Sequence, residues 1–449
     1  MRYFGHIHGS ALAGAALSAL FACQPALAVD IPESGVLLSP QRIESENPLD
    51  DKPSRDYVGM PVGGWMLYPT MLVGGVYDDN VFQTKTNRKG AGGVRFRPSL
   101  IAEDNNGIHK TQVYGLGDIR IYPSYSQANV FEGRAGVAHV WQADRDLEVR
   151  IQGDYTRRQD PSSSGGANAF GVTTYSKPQT SNAFTGTASV QKNFNAFFVG
   201  LGGSVSRLIY DSSNTGNPAY TNSLLLLSGV SPLAIQQTPS RNGTASSVTG
   251  RIGMFLTPAI YGFVDSTGNI RRYDAGLWNS DGYRFVAGLG TSNLGLVKGE
   301  IYAGYQKQFY VRSDLFRNPS SPVFGGRVFW YPTRDMTFMA SVDETINDNT
   351  QTTLTSASGG SSKTLATQLR GDYALSRQLS AFARFGLSSS VYSASARRDY
   401  LYQAGTGLSY NVLRNLDVTF DYSYSRLVSN ATNASYVRNV ITAGATYRY

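Results

Sequence analysis

Cysteine is almost missing from this chain: its 449 residues contain only one, Cys23. It follows an apolar run, Ala11 to Ala22, and precedes Ala26-Leu27-Ala28. An apolar run closed by small residues is typical of a secretory signal peptide, so we expect cleavage after Ala28. The processed chain then has no cysteine, which excludes a disulfide framework and a thiolate metal site. A lipoprotein anchored at Cys23 is the alternative, which the bulky Phe21 disfavours.

Long apolar runs are missing as well. After the signal segment the sequence has no stretch of about 18 apolar residues, which excludes membrane-spanning helices. The mean hydropathy is −0.25, and charged residues make up 16% of the chain. The formal net charge of +8 would fit a nucleic-acid partner. An export signal argues against that partner, so we predict none.

Histidine is scarce, with four residues in the chain. His6 and His8 lie in the predicted signal peptide, His109 lies beside a predicted turn, and His139 shares the face of Trp141. Neither of the last two lies near a serine or aspartate in the arrangement that a histidine-dependent catalytic site needs. A His/Cys metal cluster is equally missing. We therefore predict no enzyme activity, no metal site and no cofactor.

Glycine, tyrosine and phenylalanine are abundant, with 48, 28 and 21 residues, and apolar and polar side chains alternate along much of the chain. In one such run Leu147, Val149 and Ile151 alternate with Glu148, Arg150 and Gln152. Because successive side chains of a strand point to opposite faces, this period indicates strands and not helices. The last run, from Ile441 to Tyr449, ends on an aromatic residue and resembles the C-terminal insertion signal of bacterial outer-membrane barrels.

The lengths of the runs and their connections favour a membrane barrel over a soluble β-sandwich. Alternating runs last about 10 to 12 residues, the length that a tilted strand needs to cross a bilayer. Tight turns alternate with long polar loops such as Gln159–Thr180, Asp211–Gly243 and Asn347–Ser362. The predicted tight turns lie around Asp104–Gly107, Asp144–Asp146, Asn193–Asn195 and Thr257-Pro258, and near Ser292-Asn293, Thr333–Asp335, Ser376–Gln378 and Leu413–Asn415. The predicted fold is therefore all-β: a transmembrane antiparallel up-and-down β-barrel of about 18 strands with both termini in the periplasm.

Three segments follow from this interpretation. We predict a signal peptide at residues 1–28, an irregular periplasmic N-terminal arm at 29–64 and an outer-membrane β-barrel at 65–449. Aromatic residues near the predicted strand ends would form the two interfacial girdles of such a barrel. They include Trp141, Tyr210, Tyr261, Trp278, Trp330 and Tyr410.

One stretch resembles a known family. The segment from Gly75 to Thr84, which contains Tyr77-Asp78-Asp79-Asn80, and the following Val94 to Leu100 are similar to the opening of the putative β-barrel porin 2 family. The resemblance implies an outer-membrane barrel, often linked to exopolysaccharide systems in Gram-negative bacteria. Read alone, the oxygen atoms of Asp78, Asp79 and Asn80 suit a cation such as calcium. A solvated turn is the alternative, and the favoured one, because Asp and Asn are ordinary turn residues.

The residues opposite the apolar face should line the interior of the barrel. Cations at these positions are Arg95, Arg97, Arg120, Arg150, Arg251, Arg284, Lys298, Arg370 and Arg384, and anions include Glu148, Glu300, Asp417 and Asp421. Rows of basic side chains in a pore favour anions, so we predict a weak preference for anionic or hydroxyl-rich solutes. Tyr114 and Tyr302 are candidate surfaces for sugar stacking. The alternative is a set of ion pairs that brace the wall.

The longest loop, Asp211–Gly243, contains the apolar run Leu224, Leu225, Leu226 and Leu227. Such an apolar run is unusual in an exposed loop. The loop has two alternative interpretations: it folds into the mouth as a constriction, or it caps the barrel by packing on neighbouring loops. The predicted function is an outer-membrane channel that exports exopolysaccharide or passes hydrophilic solutes. The alternative is a closed structural or adhesive surface barrel. Expected partners are outer-membrane lipid, the outer-membrane insertion machinery, periplasmic polysaccharide-export components and the transported solute.

Overall fold

The computed structural model describes residues 59–160, 179–211, 242–349 and 360–449, apart from positions 275, 277, 315, 394–395 and 432–433. The predicted signal peptide, most of the predicted arm and the run Leu224–Leu227 lie outside the described residues. The strands are β1 Met60–Val62, β2 Trp65–Asp78, β3 Ala91–Asn105, β4 His109–Ile121, β5 Val130–Asp144, β6 Leu147–Asp160, β7 Gln179–Asn193, β8 Phe197–Tyr210, β9 Gly243–Phe255, β10 Ile260–Tyr273, β11 Ser280–Leu294, β12 Val297–Tyr310, β13 Ser320–Thr333, β14 Met336–Asn349, β15 Gly360–Ala374, β16 Leu379–Tyr392, β17 Arg398–Leu413, β18 Leu416–Ser429 and β19 Tyr436–Arg448. The one helical segment described is a 3-10 turn at Ser126–Ala128. Among the described residues, no helix is long and apolar enough to cross a membrane.

The sheet closes on itself. Each strand from β2 to β19 pairs antiparallel with the next one in sequence, and β19 pairs with β2 over Val440↔Asp78 to Arg448↔Thr70. β1 lies outside this ring and forms a short hairpin with the start of β2. The prediction of a closed all-β barrel of about 18 strands is therefore confirmed. Closure leaves no free sheet edge where β2 and β19 meet, because each supplies the other's hydrogen-bond partners.

The barrel has two different rims, which we name the tight rim and the loop rim. The tight rim carries the short turns, for example Arg145-Asp146 between β5 and β6, and the longer connections lie at the loop rim. β2 starts and β19 ends at the tight rim. The predicted turns fit this order, and the turn predicted near Ser292-Asn293 lies slightly farther along, at Gly295-Leu296, because β11 extends to Leu294. Gly295 has φ +62°, a conformation that a β-branched residue would adopt only under strain.

The two faces of the wall differ in chemistry. Along β9, β10 and β12 the apolar side chains of Ile252, Val264 and Ile301 are exposed, whereas Arg251, Phe263 and Glu300 on the opposite face are buried. An exposed apolar face on this scale is typical of a barrel in lipid. The exposed aromatics Trp141, Trp330 and Tyr410 fit the predicted girdles. Tyr210, Tyr261 and Trp278 are buried, so their assignment to the girdles was wrong.

Aromatic rings on the inner face lie over glycines of the next strand. A Cβ added to Gly253 would overlap the ring of Phe198, its cross-strand partner. The same pairing recurs at Tyr114 and Gly136, Tyr261 and Gly290, Phe263 and Gly288, Tyr302 and Gly325, and Phe382 and Gly407. A ring that covers a glycine fills the space left by the missing side chain and fixes the register of the two strands.

This packing predicts that Gly253→Ala will lower the free energy of unfolding by about 1–3 kcal/mol, because the buried Phe198 ring has to move. Gly268→Ala is the matched control, since an added Cβ there has no neighbour within 4 Å. The measurement is urea unfolding of the refolded proteins in detergent, followed by heat-modifiability on gels. Equal losses in the two variants would contradict the proposed packing.

The ladder between β13 and β14 is incomplete. The β13–β14 ladder extends from Thr333↔Met336 to Gly326↔Val342 and no further toward the loop rim. In contrast, β14 continues to pair with β15 as far as Asn349↔Gly360, and β13 with β12 as far as Lys307↔Ser320.

Candidate functional site in the barrel interior

The inner face is the candidate site because a closed barrel of 16 to 18 strands is wide enough for a water-filled lumen. Contacts between strands that are not neighbours identify this face, since side chains converge only on the concave side of a curved sheet. Arg251 on β9 donates from Nη1 to Glu300 on β12 at 2.9 Å. Tyr261 on β10 donates its hydroxyl to the same carboxylate at 2.6 Å. The buried polar face of the strands therefore faces inward.

All the residues predicted to line the pore share this inner face. The set is Arg95, Arg97, Arg120, Arg150, Arg251, Arg284, Lys298, Arg370, Arg384, Glu148, Glu300, Asp417 and Asp421. Alternation puts them there, because each lies one residue from an outward-facing apolar side chain. Their part in conduction stays a prediction.

Most of the interior arginines pair with carboxylates. Some pairs cross strands, as Arg384 with Asp421 at 3.0 Å and Arg448 with Asp417 at 2.7 Å. Others lie along one strand, as Arg370 with Asp372 at 2.7 Å and Arg150 with Glu148. The two charges of each pair neutralise one another, and the pairs that cross strands also tie those strands together, so for these arginines the bracing interpretation is favoured.

The densest network surrounds Arg251. Its guanidinium group donates two hydrogen bonds of 2.6 Å to Asp265 and one of 2.9 Å to Glu300. It also lies 4.1 Å from the centre of the Phe263 ring, within cation–π range. Arg251 and Glu300 are only 5% and 7% exposed. A charge in this position depends on its partners, because desolvation of an unpaired ion costs several kcal/mol.

Positive charge is in excess near β3 and β4. Arg95 donates to Asp118 at 2.9 Å, and Arg120 lies 3.6 Å from the same carboxylate and donates to Glu132 of β5 at 3.2 Å. Arg97 lies one inward position farther along β3. We call Arg95, Arg97 and Arg120 the arginine cluster. Across the barrel, exposed Arg327 on the inner face of β13 makes no ion pair with the described residues. The arginine cluster and Arg327 are the interior sites most suited to attract an anion.

The tyrosines predicted as sugar platforms are occupied by protein contacts. Arg134 lies 5.5 Å from the centre of the Tyr114 ring, and the hydroxyl group of Tyr114 lies over Gly136. Arg284 lies 5.2 Å from the centre of the Tyr302 ring, whose hydroxyl donates to Asp343 at 2.5 Å. Their surroundings favour a packing role over sugar stacking.

The Tyr77-Asp78-Asp79-Asn80 motif joins the first barrel strand to the last one. Asp78 is fully buried and accepts hydrogen bonds from Arg438 Nε at 2.9 Å and Nη2 at 2.6 Å. Asp79 accepts from the backbone and side-chain nitrogens of Asn439, each at 2.6 Å. Asn80 donates to the carbonyl of Val437 at 2.8 Å. We call this set the closure clamp.

The clamp explains the motif without a cation. Its carboxylates are saturated by Arg438 and Asn439, so the oxygen cluster acts as a structural link and not as an open ligand set. Tyr77 alone points outward and is exposed. No group of three or more His, Cys, Asp or Glu side chains in the described part of the chain is arranged to hold a metal ion.

Sequence reasoning missed several interior charges. Arg134, Asp265 and Asp343 obey the same alternation as the predicted set, so a complete reading of parity could have found them. Arg271, Glu344 and Asp348 form a further polar group near the loop rim. Glu344 and Asp348 lie on the nominally outward face of β14, so alternation alone assigns them to lipid.

Comparison with known proteins gives a family match and remote structural similarities. The family model described as putative beta-barrel porin 2 matches residues 52–449. No curated protein sequence matches this chain. An anion-selective porin from Comamonas acidovorans is similar at 12% identity and a TM-score of 0.36, over 86% of this chain and 99% of that one. The outer membrane protein opdK from Pseudomonas aeruginosa is similar at 12% identity and a TM-score of 0.40, over 85% of this chain and 99% of that one.

Proposed function

Because the chain belongs to the putative beta-barrel porin 2 family, we propose that it is an outer-membrane channel for hydrophilic solutes. The observation that carries this proposal is the polar inner face, where charged side chains line the concave side of a closed barrel of 18 strands from β2 to β19. Barrels of this strand number usually enclose an aqueous lumen.

The rims support one orientation. Outer-membrane barrels have short turns in the periplasm and long loops outside the cell. The tight rim would then face the periplasm together with the start of β2 and the end of β19. This orientation agrees with a periplasmic arm at 29–64, export by a cleaved signal peptide and delivery through the outer-membrane insertion machinery.

Single-channel recording of the refolded, signal-processed protein tests the proposal. A channel gives discrete conductance steps in planar bilayers. A closed structural or adhesive barrel, the second candidate, gives none. The interior ion pairs are the observation that favours the closed barrel, because side chains that meet inside the wall occupy part of the lumen. Folded protein that inserts but never conducts would overturn the channel.

The arginine cluster predicts a weak preference for anions. We expect Arg97→Gln to lower the anion-to-cation permeability ratio by about twofold, because a basic side chain that faces the lumen concentrates anions. Reversal potentials in a salt gradient measure this ratio. Arg426→Gln is the control, since Arg426 is exposed on the outer face. An unchanged ratio in Arg97→Gln, or an equal change in the control, would contradict a role of the cluster in selectivity.

We propose an anionic or hydroxyl-rich polysaccharide as the exported solute, handed over by periplasmic export components. The support is the family resemblance together with an interior rich in guanidinium groups, which bind carboxylates in a bidentate geometry. Deletion of the gene should abolish secreted polysaccharide, and the wild-type chain should restore it. Normal secretion combined with lost uptake of small solutes would indicate a general porin.

A further inference from the structure

The loop halves of β13 and β14 separate from each other. Pairing ends at Gly326↔Val342, so residues 320–325 of β13 and 343–349 of β14 share no ladder. We call these two segments the seam. β13 runs from Ser320 to Thr333, so the ladder ends near the middle of the strand. The seam therefore covers the half of the wall nearest the loop rim.

At the seam β14 folds into the barrel. Glu344 and Asp348 belong to the outward-facing parity of β14, yet they are only 2% and 1% exposed. Asp348 accepts hydrogen bonds from Tyr310 at 2.6 Å and from Tyr273 at 2.8 Å. Both tyrosines are buried on the inner faces of β12 and β10. The nominally outer face of β14 thus packs against the inner face of earlier strands.

Backbone groups of β14 take new partners there. In a continued ladder the carbonyls of Glu344 and Ile346 would accept hydrogen bonds from β13. They accept instead from side chains: Gln306 Nε2 reaches Glu344 at 3.5 Å, and Arg271 Nη2 reaches Ile346 at 3.1 Å. The separation of β14 from β13 is therefore stabilised by hydrogen bonds from side chains in the barrel interior.

The sequence itself opposes a continuous ladder. The backbone N–H of Gln308 donates to the Pro319 carbonyl. The backbone N–H and C=O groups of odd-numbered residues at the start of β13 therefore face β12, and those of even-numbered residues face β14. Pro322 would have to donate to β14, but proline has no N–H and is confined to strand edges. Glu344 and Asp348 would also face lipid in a continuous wall, where carboxylates are disfavoured.

The seam is polar between its two segments and apolar on its outer surface. Glu344 contacts Ser321 of β13 and pairs at 2.8 Å with Lys363 of β15, whose side chain has the outward parity of that strand and is 45% exposed. On the outer surface beside them, Phe324 is 47% exposed. Hydroxyl, amide and paired charged groups thus lie next to a hydrocarbon-facing surface at a break in the wall. An amphipathic molecule has the same division of chemistry.

We propose that the seam is a lateral portal, through which an amphipathic molecule with a hydroxyl-rich head and a hydrocarbon tail passes between the lumen and the adjacent lipid leaflet. In this structure Ser321 and Gln306 are buried and bonded to Glu344, so the portal is closed. When the two segments part, these groups and the Glu344–Lys363 pair offer hydrogen bonds to the head, while the tail stays in lipid beside Phe324. This inference rests on the proposed function, since the head needs a hydrated lumen. In the proposed orientation the portal opens to the outer leaflet.

The test locks the seam reversibly. Ser321→Cys and Glu344→Cys are combined and bridged with a short bifunctional methanethiosulfonate reagent, which reduction removes. The signal-processed chain has no other cysteine, because Cys23 lies in the predicted signal peptide. The probe is a dodecyl glycoside with a fluorophore on its sugar, placed in the outer leaflet of proteoliposomes. An antibody that quenches the fluorophore and is too large to enter the lumen is then added outside. The fraction of fluorescence that it cannot quench measures how much probe has moved inward.

We expect the bridged variant to transfer the probe at least about tenfold more slowly, because a closed wall leaves no path from lipid to lumen. Reduction should restore the rate of the unbridged double variant, and the same reagent should leave the rate of the wild-type chain unchanged, since the signal-processed wild type has no cysteine to react. A second variant combines Pro322→Val with Glu344→Val and Asp348→Val. It restores the backbone N–H at position 322 and an apolar outward face on β14, so it should allow a continuous ladder and also block transfer. Unchanged transfer in the bridged variant, or wild-type transfer no faster than in protein-free liposomes, overturns the portal. Ion conductance is recorded in parallel: its absence in the wild type refutes the channel, whereas conductance without lateral transfer refutes the portal alone.

Discussion

Arg438→Ala is expected to lower the free energy of unfolding by about 3–5 kcal/mol, because it leaves the fully buried carboxylate of Asp78 without its cation. The loss falls on the junction of β2 and β19, where the barrel closes. Urea unfolding in detergent measures the free energy, and the folded band on unheated gels should weaken.

Arg207→Ala is the matched control. Arg207 donates two hydrogen bonds of 2.7 Å to Asp274 at the loop rim, which lowers the pKa of that carboxyl below its ordinary value. The two side chains are 37% and 41% exposed, and solvent-screened pairs of this kind contribute about 0–1 kcal/mol. The double variant Asp78→Ala with Arg438→Ala should lose less stability than the sum of the single variants. Additive losses, or an equal loss in the control, would refute the clamp as a coupled buried pair.

Arg251→Met is expected to cost about 3–5 kcal/mol as well, since it leaves two carboxylates, Asp265 and Glu300, close together in a confined interior. The same substitution at Arg327 is the control, because that inner-face arginine makes no ion pair with the described residues. Adding Asp265→Asn and Glu300→Gln to Arg251→Met should recover much of the stability, since the unpaired charges are removed. The readout is again the urea midpoint.

A failure of this recovery would mean that Arg251 acts by packing against Phe263 and not by neutralising charge. Conductance adds an independent readout. If the network narrows the lumen, the triple variant should conduct more than the wild type at the same salt concentration.

Alternation determined what could be read from the sequence. Arg251 and Glu300 could be placed on the inner face because a strand of regular pleat has a period of two residues. The same rule failed at Glu344 and Asp348, because it assumes that β14 stays in the wall. Pro322 is the residue in the sequence that indicates the break in the β13–β14 ladder. It could not be used for a prediction, because the effect of a proline depends on which neighbouring strand its backbone faces, and only the strand register shows this.

The family motif shows a second limit. Asp78 and Asp79 have their partners at Arg438 and Asn439, 360 residues away in the chain. A local reading sees clustered oxygen atoms and weighs a cation against a solvated turn. Tyr261 and Trp278 failed as girdle residues for a similar reason, since position near a strand end says nothing about the face that a ring occupies.

The pairing of β2 with β19 has a consequence for biogenesis. Contacts that join distant parts of a polypeptide form slowly, because the intervening chain must first be ordered. The wall cannot seal while the C-terminal strand is still in transit. Until then both terminal strands present unsatisfied backbone to their surroundings, which a chaperone or assembly factor would have to shield. The carboxylate of Asp78 on β2 therefore stays without its partner Arg438 until β19, the last strand, has been delivered.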